Sequence, residues 1–279
     1  MPECPRGNFE RLSLTRTGSG FSVGFMKAVR DTWLTFQREM LLYARTPARI
    51  ALSLAYPVTY MLLYGPLLRR AFASDGVVTY TQAYRVYVPG LLTYTALLGG
   101  IVAGYTLLTE LRAGIIERSR VTPASRAALI VGRALGEVVD LLIQGVVITL
   151  LSLIVGLTVP IPELLLTYLL YCLVAMTAVM VSYGLTLWGG NVSALGAVNS
   201  TLSQPVMLLS GMLLPLVLAP LWMVDIARAN PFYWATNGAR ALFDGQAGVP
   251  SVWASLLVLL GTTALATVWA MRLFARTVR

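Results

Sequence analysis

The sequence predicts an all-α membrane protein with six transmembrane helices. An amphipathic interfacial helix precedes the first span, and a re-entrant hairpin on the outer side precedes the last. Three observations predict it. Apolar residues make up 57% of the 279 residues and charged residues only 12%, about half the ~25% of a soluble domain. Such a chain cannot build a charged shell, and it is too apolar to be disordered. Long uncharged runs recur along it, and the basic residues gather beside alternate ends of those runs.

A bilayer core ~30 Å thick needs about 20 apolar residues at ~1.5 Å each. The uncharged runs between Arg49 and Arg69, Arg85 and Glu110, Asp140 and Glu163, and Asp244 and Arg272 hold 19, 24, 22 and 27 residues. The run of 61 residues between Glu163 and Asp225 holds two crossings. It divides at Trp188-Gly189-Gly190-Asn191, where two glycines and an asparagine favour a turn. The spans therefore fall at about 50–68, 87–109, 131–157, 164–187, 194–216 and 251–271.

Six crossings put both ends on one side. Fifteen basic residues lie there: eight before the first span, four in the loop after the second and three at the C-terminus. Five lie opposite, and Arg133 falls within span three. This excess predicts both termini in the cytoplasm of a multi-pass protein. It also accounts for the net charge of +9 without nucleic acid, whose binding needs clustered basic residues on a water-facing surface.

Residues 1–22 are polar, lack the apolar stretch of a cleavable signal peptide and read as a flexible N-terminus jointed at Gly18, Ser19 and Gly20. Residues 23–46 read as the interfacial helix. Phe25, Val29, Trp33, Phe36, Met40 and Tyr43 recur at helical spacing on one face, with Lys27, Asp31, Arg38 and Arg45 away from it. A soluble helix packed on a partner has the same pattern. Pro47 stops this helix before span one.

The chain has no His and one Lys, Lys27, followed by Ala28. Histidine-based metal sites and Ser-His catalysis are excluded. So is a phosphate-binding loop, which needs Gly-Lys-Ser/Thr. Acid–base chemistry through Glu137 and Asp140 alone has weak support.

Three segments carry polar patterns. In 110–126, Glu110, Glu117 and four Arg alternate with Leu111, Ile115 and Ile116, either as a short helix for a partner or as an ordinary loop held inside by its charge. In span three, Arg133, Glu137 and Asp140 project from neighbouring turns. They face either the bundle interior or, if the span starts later, its boundary. In 217–250, Pro231 divides two short helical pieces, and Trp222, Tyr233 and Trp234 suit headgroup depth. A re-entrant or interfacial hairpin fits.

The order of these elements resembles the membrane subunit of a type-2 ABC transporter, most closely the branch of daunorubicin/doxorubicin-resistance permeases and related polysaccharide exporters. The likeness spans about residues 25–276. It rests on Glu110-Leu-Arg-Ala-Gly-Ile-Ile-Glu-Arg-Ser-Arg-Val-Thr-Pro-Ala-Ser-Arg126, like the family's loop after the second span, in which a Glu, a Gly and a later Thr-Pro frame a coupling helix. It rests also on Ser210-Gly211-Met212-Leu213-Leu214-Pro215, followed by Ala229-Asn230-Pro231-Phe232 and Arg240, like the outer signature before the last span. Trp222 is preceded by Leu221 where many relatives have Pro.

The resemblance implies a transmembrane domain over 47–276 that works as a permease without its own ATP-binding motif. Two permeases, a pair of copies or a copy and a paralogue, would join two ABC ATPase subunits, and ATP and Mg would sit on those partners. Residues 111–121 would form the cytoplasmic coupling helix, with Leu111, Ile115 and Ile116 as apolar contacts, Arg112, Glu117 and Arg118 as polar ones, and Gly114 between. Trp222, Asn230, Pro231 and Arg240 would shape the outer hairpin. The translocation path would run between permeases, with Tyr94, Asn199, Ser203, Gln204 and Met207 as sparse polar and soft contacts. A mostly apolar wall suits an amphipathic drug, lipid or glycolipid. In span two, Gly99, Gly100 and Gly104 either permit close helix approach or reflect the common composition of membrane helices. The place is a bacterial or archaeal cytoplasmic membrane. An ion-coupled secondary transporter is the rival, but it would show mid-membrane carboxylates and often repeated halves.

Overall fold

The computed structural model describes residues 19–72, 80–114, 126–213, 216 and 219–277, and among these there is no strand. Among the described residues nine helices follow in order: α1 Ser19–Ala44, α2 Pro47–Phe72, α3 Tyr80–Arg112, α4 Arg126–Ile154, α5 Ile161–Gly189, α6 Val192–Leu209, α7 Leu221–Ala227, α8 Pro231–Phe243 and α9 Pro250–Thr277. Within α3, α4, α5 and α9, the segments Thr81–Arg112, Ala127–Ile154, Ile161–Gly189 and Pro250–Arg276 are long and apolar enough to cross a membrane. The two other expected crossings correspond to α2 and α6, which fall outside that group. Prolines and glycines set many of the boundaries. Pro47 opens α2, Pro231 opens α8, and Gly190 ends α5 in a left-handed conformation with its N–H on the Thr186 carbonyl.

Four boundaries differ from expectation. Span five, read as 194–216, stops at Leu209. The chain turns at Ser210–Gly211, where Gly211 takes a φ of 67°, a value that favours glycine. The 18 residues of α6 reach only ~27 Å. Span three starts earlier than 131 and ends at Ile154, short of 157. Leu111 and Arg112, assigned to a coupling helix over 111–121, instead finish α3. Ser19 and Gly20, read as a flexible joint, already belong to α1.

The predicted apolar stripe of α1 is split. Thr32 and Thr35 lie against Gly132 of α4, and Glu39 and Met40 against Gly136. Tyr43 is buried, whereas Val29 and Trp33 are more than half exposed, along with Met26, Leu34 and Leu41. At Gly132 the approach is close enough that short threonines take the contact, while Met40 of the stripe keeps its place at Gly136.

α5 is the central helix and packs on α3, α4, α8 and α9. It is apolar on all sides, as a helix surrounded by others must be. Gly100 and Gly104 of α3 let the two backbones approach as expected. A Cβ at Gly100 would stand 2.6 Å from the Ala178 Cβ, and one at Gly104 2.1 Å from the Ser182 Oγ. The Thr186 hydroxyl donates to the Gly104 carbonyl at 3.1 Å. Tyr171 donates to the Leu141 carbonyl of α4 at 2.9 Å, and Thr177 and Thr263 join α5 to α9 at 2.7 Å. Each such bond contributes only ~0.6 kcal/mol inside a membrane protein, so close packing carries the seam.

Candidate functional site

The hairpin end of the bundle is held by side chains that grip backbone. Asn230 caps α8: its Oδ1 accepts from the Phe232 N–H at 3.0 Å, while its Nδ2 donates to the Val206 carbonyl of α6 at 2.8 Å. One residue thereby starts a helix and ties it to another. Arg240, three turns on, donates from Nε to the Val86 carbonyl of α3 at 3.2 Å and from Nη2 to the Gly211 carbonyl at 2.6 Å. Burial pulls its guanidinium down to about 10, still charged at neutral pH. Gly90 completes the corner, because a Cβ there would meet the Met212 carbonyl oxygen at 1.9 Å. Trp222 stays exposed, and the Trp234 indole N–H donates to the Arg228 carbonyl at 2.8 Å across the bend between α7 and α8.

The opposite end is charged. The three span-three residues do not pair with one another; each ties α4 to a different helix. Arg133 grips Glu110, near the end of α3, with both guanidinium nitrogens, Nη2 to Oε1 at 2.7 Å and Nη1 to Oε2. Arg49 of α2 donates to Glu137 at 3.0 Å. Asp140 accepts from the Tyr43 hydroxyl of α1 at 2.6 Å and from Gln144 Nε2 at 3.4 Å. Burial first, and then the hydrogen bond to Asp140, push the Tyr43 hydroxyl up to about 12.

The five path candidates separate. Asn199 and Ser203 line a cavity of about 140 Å³ between α3, α5 and α6. The Asn199 Nδ2 and the nearby Ser182 Oγ are buried there without a partner. Met207 is half-buried against the core and Gln204 is exposed. Tyr94 lies elsewhere, bonded to the Tyr56 hydroxyl at 2.6 Å. It joins a ladder in which Tyr56, Tyr60, Tyr64 and Tyr87 lie ring on ring, Tyr60–Tyr64 and Tyr64–Tyr87 stacked at 5.3 and 5.5 Å. Of the coupling candidates, Leu111 packs on the core, Arg112 is exposed and Gly114 turns with a φ of 67°. Ile115, Ile116, Glu117 and Arg118 lie outside the described residues.

The profile of the ABC-2 type transporter family matches residues 30–243, which takes in both the charged end and the Asn230–Arg240 corner. The chain belongs to the ABC-2 type transporter family. It is the membrane subunit, a multi-pass protein whose family partners with ABC ATPases. No curated protein matches the chain significantly. Several working contacts of this ABC-2 permease were readable but unread. An arginine inside a span calls for a carboxylate, and Glu110 at the end of the neighbouring span supplies it. Tyr56, Tyr60 and Tyr64 stand four apart, a ladder on one face of α2.

Proposed function

We propose that this permease belongs to an ATP-driven exporter that moves an amphipathic drug, lipid or glycolipid out of a bacterial or archaeal cell. Two permeases, identical or paralogous, would stand in the cytoplasmic membrane with two ABC ATPases, and ATP and Mg would bind to the ATPases. In this reading α2 and α6 cross the membrane with α3, α4, α5 and α9, both termini are cytoplasmic, and α1 lies in the inner interface. The family match carries the reading, because it includes the loop after α3 where a motor subunit would dock.

The coupling segment would continue past Gly114, with Ile115 and Ile116 as its apolar contacts and Glu117 and Arg118 as its polar ones. ATP binding closes the motors and shifts that segment. Glu110 is the last carboxylate before it and is held by Arg133, so the shift reaches α4 directly. The permease needs two packings close in energy, which nucleotide biases toward inward or outward access. The test is Glu117→Arg in proteoliposomes with the partner ATPase. Insertion should be retained while ATP-driven transport and substrate-stimulated ATP hydrolysis are lost. Normal substrate stimulation in that variant would remove the coupling assignment, and transport driven by a proton gradient without ATP would remove the exporter.

A further inference from the structure

A second, larger opening lies between α2, α3 and α4. Its volume is about 640 Å³, inside the ~300–1,000 Å³ range of small-molecule sites. Leu52, Leu98 and Val102 form apolar wall, and Arg49, Glu137 and Asp140 stand at one end. Leu52 and Val102 are 74% and 59% exposed, so the mouth opens sideways at the surface of the bundle. An occupant dissolved in a bilayer would enter without crossing water.

The charges at the polar end do not cancel. Arg49 is engaged by Glu137 at 3.0 Å. Asp140, only 7% exposed, has two neutral partners, the Tyr43 hydroxyl and the Gln144 amide. Two carboxylates thus face one guanidinium among the residues that line the opening. A carboxylate accepts at about four lone-pair positions, and Tyr43 fixes its orientation while leaving others available. In surroundings of low dielectric, an ionised carboxylate without a counter-ion is costly. A ligand that brings a cation and an apolar body removes that cost and fills the wall. One that brings an anion meets the excess carboxylate.

We propose that this opening binds an amphiphile with a cationic headgroup, its ammonium on Asp140 and its apolar part along Leu52, Leu98 and Val102. The site names the chemical class of cargo for the exporter proposed above and rests on that reading. Cargo is held here after leaving the leaflet and before nucleotide drives it on.

The test uses the permease with its partner ATPase in lipid nanodiscs. Two probes are titrated by fluorescence without nucleotide: a tail-dansylated alkylammonium and the tail-dansylated fatty acid of equal chain length. The wild type should prefer the ammonium. Asp140→Asn keeps an acceptor for Tyr43 and should weaken ammonium binding about tenfold, as loss of one partly desolvated ion pair does, without weakening the fatty acid. Leu52→Trp, at an exposed position that leaves the core untouched, should block the mouth, and it keeps the test valid if Asp140→Asn fails to assemble. Equal binding of both probes to the wild type would overturn the proposal. So would wild-type ammonium binding by a folded Asp140→Asn protein or by Leu52→Trp. The transport arm separates this site from the exporter reading. If ammonium binding needs Asp140 but ATP moves no probe in proteoliposomes, the exporter reading fails and the site stands. If ATP moves the probe equally in wild type and Asp140→Asn, the site fails and the exporter reading stands.

Discussion

At the hairpin end, Asn230 and Arg240 reach across to carbonyls of α6, α3 and the turn at Gly211. At the charged end, Tyr43, Arg49 and Glu110 each meet a side chain of α4. A backbone carbonyl inside a packed bundle has no alternative rotamer, so the first kind of tie holds one geometry. Side-chain pairs can exchange partners when helices shift by a turn or less. The hairpin end is therefore built as a fixed corner, and the charged end as a set of replaceable contacts near the segment where the partner ATPase would act. Rigidity and adjustability thus sit at opposite ends of the same helices.

Arg240→Ala tests the fixed corner and carries the largest expected effect. It removes two charge-assisted hydrogen bonds and leaves two partly buried carbonyls bare, a loss of about 4 kcal/mol. Unfolding by dodecyl sulfate in mixed micelles would measure it. Arg240→Lys should recover only part, since an ammonium cannot fork between the Val86 and Gly211 carbonyls. A loss below ~1 kcal/mol, the scale of a single ordinary hydrogen bond, would show that the corner is held by packing alone.

The next effect belongs to Arg133 and Glu110. Arg133→Ala strands a partly buried carboxylate and should cost about 3 kcal/mol, whereas Arg133→Met with Glu110→Gln should cost far less, because an apolar replacement needs no counter-charge. The same double variant should lose substrate-stimulated ATP hydrolysis while remaining folded. Full stimulation in it would break the link between an exchangeable contact and coupling.

Most of the helices were legible because membrane crossing imposes length and apolarity, and Gly189-Gly190 and Pro231 mark their own breaks. The end of α6 was not, because Met212, Leu213 and Leu214 continue the apolar run and only Gly211 signals the turn. The side of α1 that meets α4 was hidden for a related reason. Hydrophobic spacing locates an apolar stripe, but the close approach at Gly132 suits short side chains, so Thr32 and Thr35 take that part of the seam while Glu39 and Met40 lie on Gly136. Asn230 and Arg240 were found through motif resemblance, whereas their carbonyl partners, separated from them by 24 to 154 positions, carry no side-chain signature. In span three the charges were visible, and of their partners only Glu110, at the end of the neighbouring span, was signalled. Spacing along one helix groups Arg133, Glu137 and Asp140, whereas the fold assigns each to a different neighbour.

Arg49 and Glu137 give the smallest effect and separate the two ion pairs of the charged end. Their side chains are 42% and 12% exposed, so water competes for the guanidinium and screens the pair. Glu137 itself is largely buried, but the amide of Arg49→Gln still offers it a neutral donor, so the variant should cost about 2 kcal/mol, less than Arg133→Ala, which offers Glu110 none. Salt separates the two ion pairs at this end further. Screening over ~8 Å at physiological ionic strength, and less at higher salt, acts on exposed charges and spares buried ones. The deficit of Arg49→Gln should shrink as salt is raised, because its guanidinium is reached by water, and that of Arg133→Ala should persist. If both deficits fade together, Arg133 is as accessible as Arg49, and the charged end is one solvated patch instead of a buried grip beside an open one.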